Sequence, residues 1–191
     1  MSSSQPHSAD ELRRLAEDTG VKPLSDALEE MISSATGLLW RRFVAIKDCG
    51  EPLEEIPAEV IPRIQPHPYH SVGAPYGKHS PYFARRSVVE RLKNAQAMLA
   101  GLRPGHKIQL FDAYRPLEVQ AYMVNYEMER LAREDGFEPA LLDEASKSKY
   151  LDQVFTIWAK PSDDPKSPPP HTTGAALDIQ ILEPDGKLLD M

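Results

Sequence analysis

Lys107-Ile108-Gln109-Leu110-Phe111-Asp112-Ala113-Tyr114-Arg115-Pro116 is the stretch from which the architecture can be read. Apolar and polar residues alternate over 107–111, the period of a strand with one buried face. The alternation ends in a polar turn and a proline that is well placed as the first residue of a helix. Upstream, Ser87-x-x-Glu90 reads as a capping box, followed by Val88, Leu92, Ala95, Leu99 and Leu102 at helical spacing. Gly101 or Gly105 is placed to close that helix. Downstream, Val119, Tyr122, Met123, Tyr126 and Leu131 form a second apolar stripe. A strand between two amphipathic helices predicts an α+β fold: a small, mostly antiparallel sheet with the helices at 87–102 and 116–132 packed on one face.

The partner strand is expected at 176–182. Pro184-Asp185-Gly186-Lys187 then reads as a hairpin turn, and Leu188-Leu189 as the start of a return strand. Because that strand is barely begun at Met191, the sheet is expected to be incomplete at its C-terminus. Tyr150, Leu151, Val154, Phe155 and Trp158 give one more amphipathic face.

Prolines number 18 and concentrate in two places. Residues 161–170 should be extended and stiff, delivering the chain to His171. From Gly50 to Pro81, Pro52, Pro57, Pro62, Pro66, Pro68, Pro75 and Pro81 rule out a long helix and disfavour a central strand. Tyr69, His70, Tyr76, His79 and Tyr82 suit that segment to covering a site. Residues 1–7 are expected to be disordered, with a short helix from the Ser8-x-x-Glu11 capping box to Gly20. A second short helix from about Asp26 and an apolar strand within Leu38–Ile46 would complete one domain over 1–191.

Composition bounds the partners. A net charge of −7 and a pI near 5.4 argue against nucleic acid or an anionic membrane surface. No run of about 18 apolar residues offers a membrane span. The N-terminal residues lack the basic and apolar regions of a signal peptide, which makes cytoplasm the default. One cysteine, Cys49, forms no internal disulfide and reads as a partly buried thiol.

Chemistry concentrates in His171-Thr172-Thr173-Gly174-Ala175-Ala176-Leu177-Asp178. Imidazole and carboxylate are both zinc ligands, but a catalytic zinc takes three protein ligands and keeps one position open. An ionised Asp178 inside an apolar strand needs a metal, an ion pair or a set of hydrogen bonds, and spacing alone leaves all three open. Arg115, at a strand's exit, is placed to stabilise negative charge on an oxygen, or to pair with Asp112 or another acid. His67 and His70 lie in a proline-rich setting with no regular geometry. No phosphate-binding glycine loop and no Gly-x-Ser-x-Gly elbow occurs.

Phe111-Asp112-Ala113-Tyr114-Arg115-Pro116 followed by His171-x-x-Gly174-x-Ala176-x-Asp178 resembles the VanX-like zinc D-alanyl-D-alanine dipeptidases over residues 70–190 or so. The resemblance implies Zn²⁺ held by His171 and Asp178, Arg115 as stabiliser of the developing oxyanion, and Asp112 orienting Arg115. It implies hydrolysis of the small dipeptide D-Ala-D-Ala in cell-wall metabolism. Two features depart from the family pattern. Pro169 stands where the family usually has serine. The family's later Glu-x-x-His segment, source of the general base and third zinc ligand, is not found in these 191 residues. The chain is therefore expected to be a C-terminally truncated form with impaired or no turnover. The alternative is a catalytically dead homologue that binds a peptide or a partner. A further possibility is that another chain, or a histidine from 67–79, completes the metal site.

Overall fold

The computed structural model describes residues 46–190, within a unit that runs from Ala45 to Met191. The expected disordered start, the helices near 8–20 and 26, and all but the last residue of the 38–46 strand lie outside the described residues, as does that part of the single-domain expectation.

The fold is α+β. In chain order the elements are β1 (Leu53–Glu55), the short α1 (Pro68–Ser71), β2 (Phe83–Arg85), α2 (Arg86–Leu102), β3 (Lys107–Asp112), α3 (Leu117–Glu134), α4 (Glu144–Val154) and β4 (Asp178–Leu182). Single 3₁₀ turns occupy Pro139–Leu141 and Pro170–Thr173. Two antiparallel pairs form, β1 with β2 and β3 with β4. The β3–β4 pair is widened by a parallel bridge from Arg63 to Leu110 and an antiparallel one from Leu188 to Leu182. The second bridge is the expected hairpin return, closed by the Lys187 carbonyl accepting from Glu183 N at 2.8 Å.

Alternation in β3 decides where the site lies. Ile108, Leu110 and Asp112 are buried while Lys107, Gln109 and Phe111 face outward or half outward. Ile108 and Leu110 join Ile56, Ile61, Ala84, Val89, Leu92 and Ala113 in the main core. Burying a side chain such as Leu110 stabilises the fold by about 1.5–3 kcal/mol. The same period carries Asp112 to the buried face, where a carboxylate needs partners. A bulge between Leu110 and Asp112 brings Asp112 opposite Asp178 at the start of β4. Bulges re-aim side chains in this way beside functional sites.

Several local expectations are corrected. The Ser87-x-x-Glu90 capping box does not form: α2 begins at Arg86, and no side chain bonds at its N-cap, Arg85. The Glu51 carboxylate instead accepts from Ser87 N at 2.8 Å, and this bond holds its pKa below the usual carboxylate value. Pro116 is the N-cap of α3, one residue before the expected position. The proline-rich segment does more than cover a site, because Ile56, Ile61, Ala74 and Tyr76 are buried in it. Ala74 and Tyr76 pack with Val119 and Met123 of α3, while Val124, Met128 and Ala132 of α3 pack with Tyr150 and Val154 of α4. Cys49 is exposed rather than partly buried.

Candidate metal centre and arginine pocket

Three hydrogen bonds join the two sequence motifs. The 161–169 segment is not extended throughout, since Ser167 N closes a turn on Asp164 O at 3.0 Å; it ends in the 3₁₀ turn that holds His171, and this turn docks on the residues between β3 and α3. Arg115 N donates to His171 O at 3.3 Å, Thr172 Oγ1 donates to Arg115 O at 2.9 Å, and His171 Nδ1 lies 2.8 Å from Ala113 O. A carbonyl only accepts, so the last contact places the imidazole proton on Nδ1 and leaves Nε2 with its lone pair. Nε2 faces Asp178 Oδ2 at 3.5 Å.

Gly174 turns the chain from His171 toward Asp178. Its φ of 73° lies in the left-handed region. Its carbonyl accepts from Arg85 N at 2.8 Å, and a Cβ there would come within 2.4 Å of Leu53 Cδ2. Arg85 Nε also donates to Thr173 O at 2.8 Å. β1 and β2 thus form the seat for the His171 turn.

Arg115 is nearly enclosed. Its Nε and Nη2 both donate to Asp112 Oδ2, at 3.2 and 2.5 Å, and Nη1 donates to Gln120 Oε1 at 2.8 Å. Gln120 Nε2 in turn donates to Ala159 O at 2.6 Å. The guanidinium carbon lies 5.0 Å from the Tyr69 ring centre and 4.8 Å from that of Trp158, within cation–π range. Arg115 Nη2 is also 4.0 Å from Asp178 Oδ2.

All four expected residues therefore meet in one place. Asp112, His171 and Asp178 present ligand atoms within 4.8 Å of one another. Among the described residues no histidine from 67–79 falls within that group. His67 turns its Nε2 to Asp112, His70 stacks on Tyr76 with centroids 4.7 Å apart, and His79 lies edge-on to Tyr114. Asp178 also departs from expectation: it starts β4 rather than lying within it, and its side chain is 50% exposed. Gln120 and Trp158 were not legible as neighbours of the site, since nothing in their local patterns marks them; His67 was legible only as one of several histidines in a proline-rich segment.

The donor set suits zinc. A bare imidazole nitrogen and a carboxylate oxygen are both acceptors, so neither satisfies the other, and a cation between them satisfies both. Zinc bonds of about 2.0–2.2 Å give a tetrahedron edge of roughly 3.4 Å, close to the separation seen. Asp112 Oδ2 already accepts twice from Arg115 and lies on the Nδ1 side of His171, 3.4 Å away. That position suits it to orienting its neighbours.

Burial pushes the Tyr69 phenol up from 10.0 to about 12, with Arg115 pulling the other way. The folded state therefore holds this proton where the unfolded chain has lost it. The linked stability is fully present below 10.0 and is lost as pH rises from there to about 12. Alkaline unfolding is expected to steepen in that window and to flatten in Tyr69→Phe, as followed by urea unfolding at stepped pH. Identical pH profiles for the two proteins would contradict it.

The class this arrangement defines is a domain able to seat a divalent cation beside a buried guanidinium. Comparison supplies the family: the family model described as D-ala-D-ala dipeptidase matches residues 63–191, and the chain belongs to that family of metallo-type peptidases. A D-alanyl-D-alanine dipeptidase of Synechocystis is 44% identical over 148 residues, which are 78% of this chain. The match spans 60% of that relative's length. No solved structure matches the chain.

Proposed function

We propose that this domain serves hydrolysis of D-Ala-D-Ala to two D-alanines, with Zn²⁺ held by His171 and Asp178. The observation that carries it is the 3.5 Å approach of His171 Nε2 to Asp178 Oδ2, with Arg115 Nη2 4.0 Å from the same oxygen. Bound zinc supplies a polarised carbonyl and a more acidic water. His171 keeps its Nε2 lone pair available because Ala113 O holds the Nδ1 proton. Arg115 is fixed by Asp112 and Gln120 where it can meet negative charge developing on the scissile carbonyl oxygen, without reorganising as that charge appears. Half-exposed Asp178 marks the side from which a small dipeptide enters.

The 191 residues contain no Glu-x-x-His, so by themselves they lack the base and third ligand that the resemblance leads one to expect. Loss of a general base costs about 10²–10⁴ in rate, and we propose that turnover by these residues alone is impaired to that degree. The exposed thiol of Cys49 fits a reducing, cytoplasmic setting.

Zinc titration and D-alanine release test the reading. His171→Ala and Asp178→Asn should each weaken zinc binding by more than the roughly 10–100-fold that loss of an outer partner costs. Turnover of D-Ala-D-Ala should fall below that of the Synechocystis relative by about 10² or more. Zinc binding unchanged in both variants, or undetectable in the parent, would defeat the metal site. Stoichiometric D-Ala-D-Ala binding with no turnover would favour a binding protein, and turnover at the relative's rate would defeat the claim of impairment.

A further inference from the structure

Asp112 has two carboxylate oxygens, and the site described above engages only one. Oδ2 takes both bonds from Arg115. Among the described residues Oδ1 is buried with no hydrogen-bond partner, and the atom facing it at 3.2 Å is His67 Nε2, equally buried and likewise without a partner among them. Each group left unmatched at such a depth costs stability. Here the two are chemically complementary and 3.2 Å apart.

The proton's position follows from the other ring nitrogen. Tyr69 N donates to His67 Nδ1 at 3.2 Å, so Nδ1 is an acceptor and the neutral imidazole carries its proton on Nε2. The ring meets Tyr69, Tyr76 and Tyr82 edge-on, with centroids 5.2, 5.7 and 5.4 Å away. Its side chain is 1% exposed. Such a ring is confined by packing, and its Nε2 lies 3.2 Å from the oxygen of Asp112 that Arg115 leaves free.

We propose that His67 is a positioning residue: its Nε2–H secures Asp112 Oδ1, and through Asp112 it fixes Arg115 and the His171 ring. The roles of Arg115 and His171 in this statement rest on the proposed function, but the hydrogen bond itself does not. His67 thereby links the proline-rich segment to the chemistry, which explains why a polar side chain is buried there.

Nitrogen NMR of the metal-free protein tests the bond directly. At neutral pH His67 should be the Nε2-protonated tautomer with a slowly exchanging proton. In His67→Leu, Arg115 Nε–H should exchange about tenfold faster, and zinc affinity should fall about tenfold, the lower end for an outer partner. His67→Gln, whose amide can present an N–H, should restore most of both. Leu92→Ala, a core change outside this network, should lower stability and leave the Arg115 signal in place. A proton on Nδ1, or an Arg115 signal unmoved by His67→Leu, would overturn the proposal. Should His67→Leu fail to fold, the tautomer in the parent protein still decides. Absence of zinc binding with the expected tautomer and exchange would leave the positioning role standing and defeat the metal reading instead.

Discussion

Asp112→Ala is expected to destabilise the domain by about 3–5 kcal/mol, measured by urea unfolding. Asp112 is fully buried and the Arg115 side chain is only 6% exposed. Without the carboxylate, Arg115 keeps Gln120 Oε1, the Tyr69 hydroxyl and two aromatic faces. All of these are neutral, and the carboxylate left beside it among the described residues, half-exposed Asp178, is 4.0 Å from Nη2, so the buried guanidinium keeps only a solvent-screened countercharge. Asp112→Asn preserves volume and one acceptor and should cost less. The double variant Asp112→Ala/Arg115→Met should recover part of the loss, because replacing both members of a buried pair is often close to neutral. The helix-surface pairs behave differently. Arg133 and Glu129 lie 2.7 Å apart but are 54% and 42% exposed. Glu129→Ala should therefore change stability by no more than about 1 kcal/mol. If Asp112→Ala costs no more than Glu129→Ala, the carboxylate is not the centre on which the site is built.

The contrast also shows what could be read from sequence. Period two over 107–112 places Asp112 on the buried face with Ile108 and Leu110, and the helical stripes on either side locate α2 and α3 within one or two residues. His171, Asp178, Arg115 and Asp112 were legible because two short motifs carry them, and the pairing of β3 with β4 brings those motifs together. Local rules failed where a distant residue supplied the local need. The N–H of Ser87 is satisfied by Glu51, and Arg115 lies against the adjoining rings of Tyr69 and Trp158. A run of prolines signals the absence of regular structure equally well in a surface loop and in a buried one. For that reason the core residues Ile56 and Ile61, and the burial of His67, went unread.

Gly174→Ala is expected to cost about 2–3 kcal/mol and to weaken zinc binding. Part of this is backbone strain, since a φ of 73° disfavours an L side chain by roughly 1–2 kcal/mol. The rest is overlap: the new Cβ would lie 2.4 Å from Leu53 Cδ2. The tip of a leucine can turn aside, so this overlap should add about 1 kcal/mol, the low end for overpacking. Gly77→Ala separates the two contributions, because Gly77 has φ +56° and no neighbour within 4 Å of its added Cβ. It should show the backbone cost alone and leave zinc binding unchanged. In a cycle with Leu53→Ala, the Gly174→Ala penalty should shrink by about the overlap contribution and no further. The effect on zinc follows from position. Gly174 lies between His171 and Asp178, and its carbonyl holds the turn to Arg85 N at 2.8 Å. Displacing that turn opens the 3.5 Å approach of Nε2 to Oδ2, and misplacing one of the two proposed ligands should cost affinity even when the domain stays folded. Equal costs for Gly174→Ala and Gly77→Ala, with zinc affinity untouched in both, would show that the close seat of Gly174 on Leu53 has no part in setting the metal site.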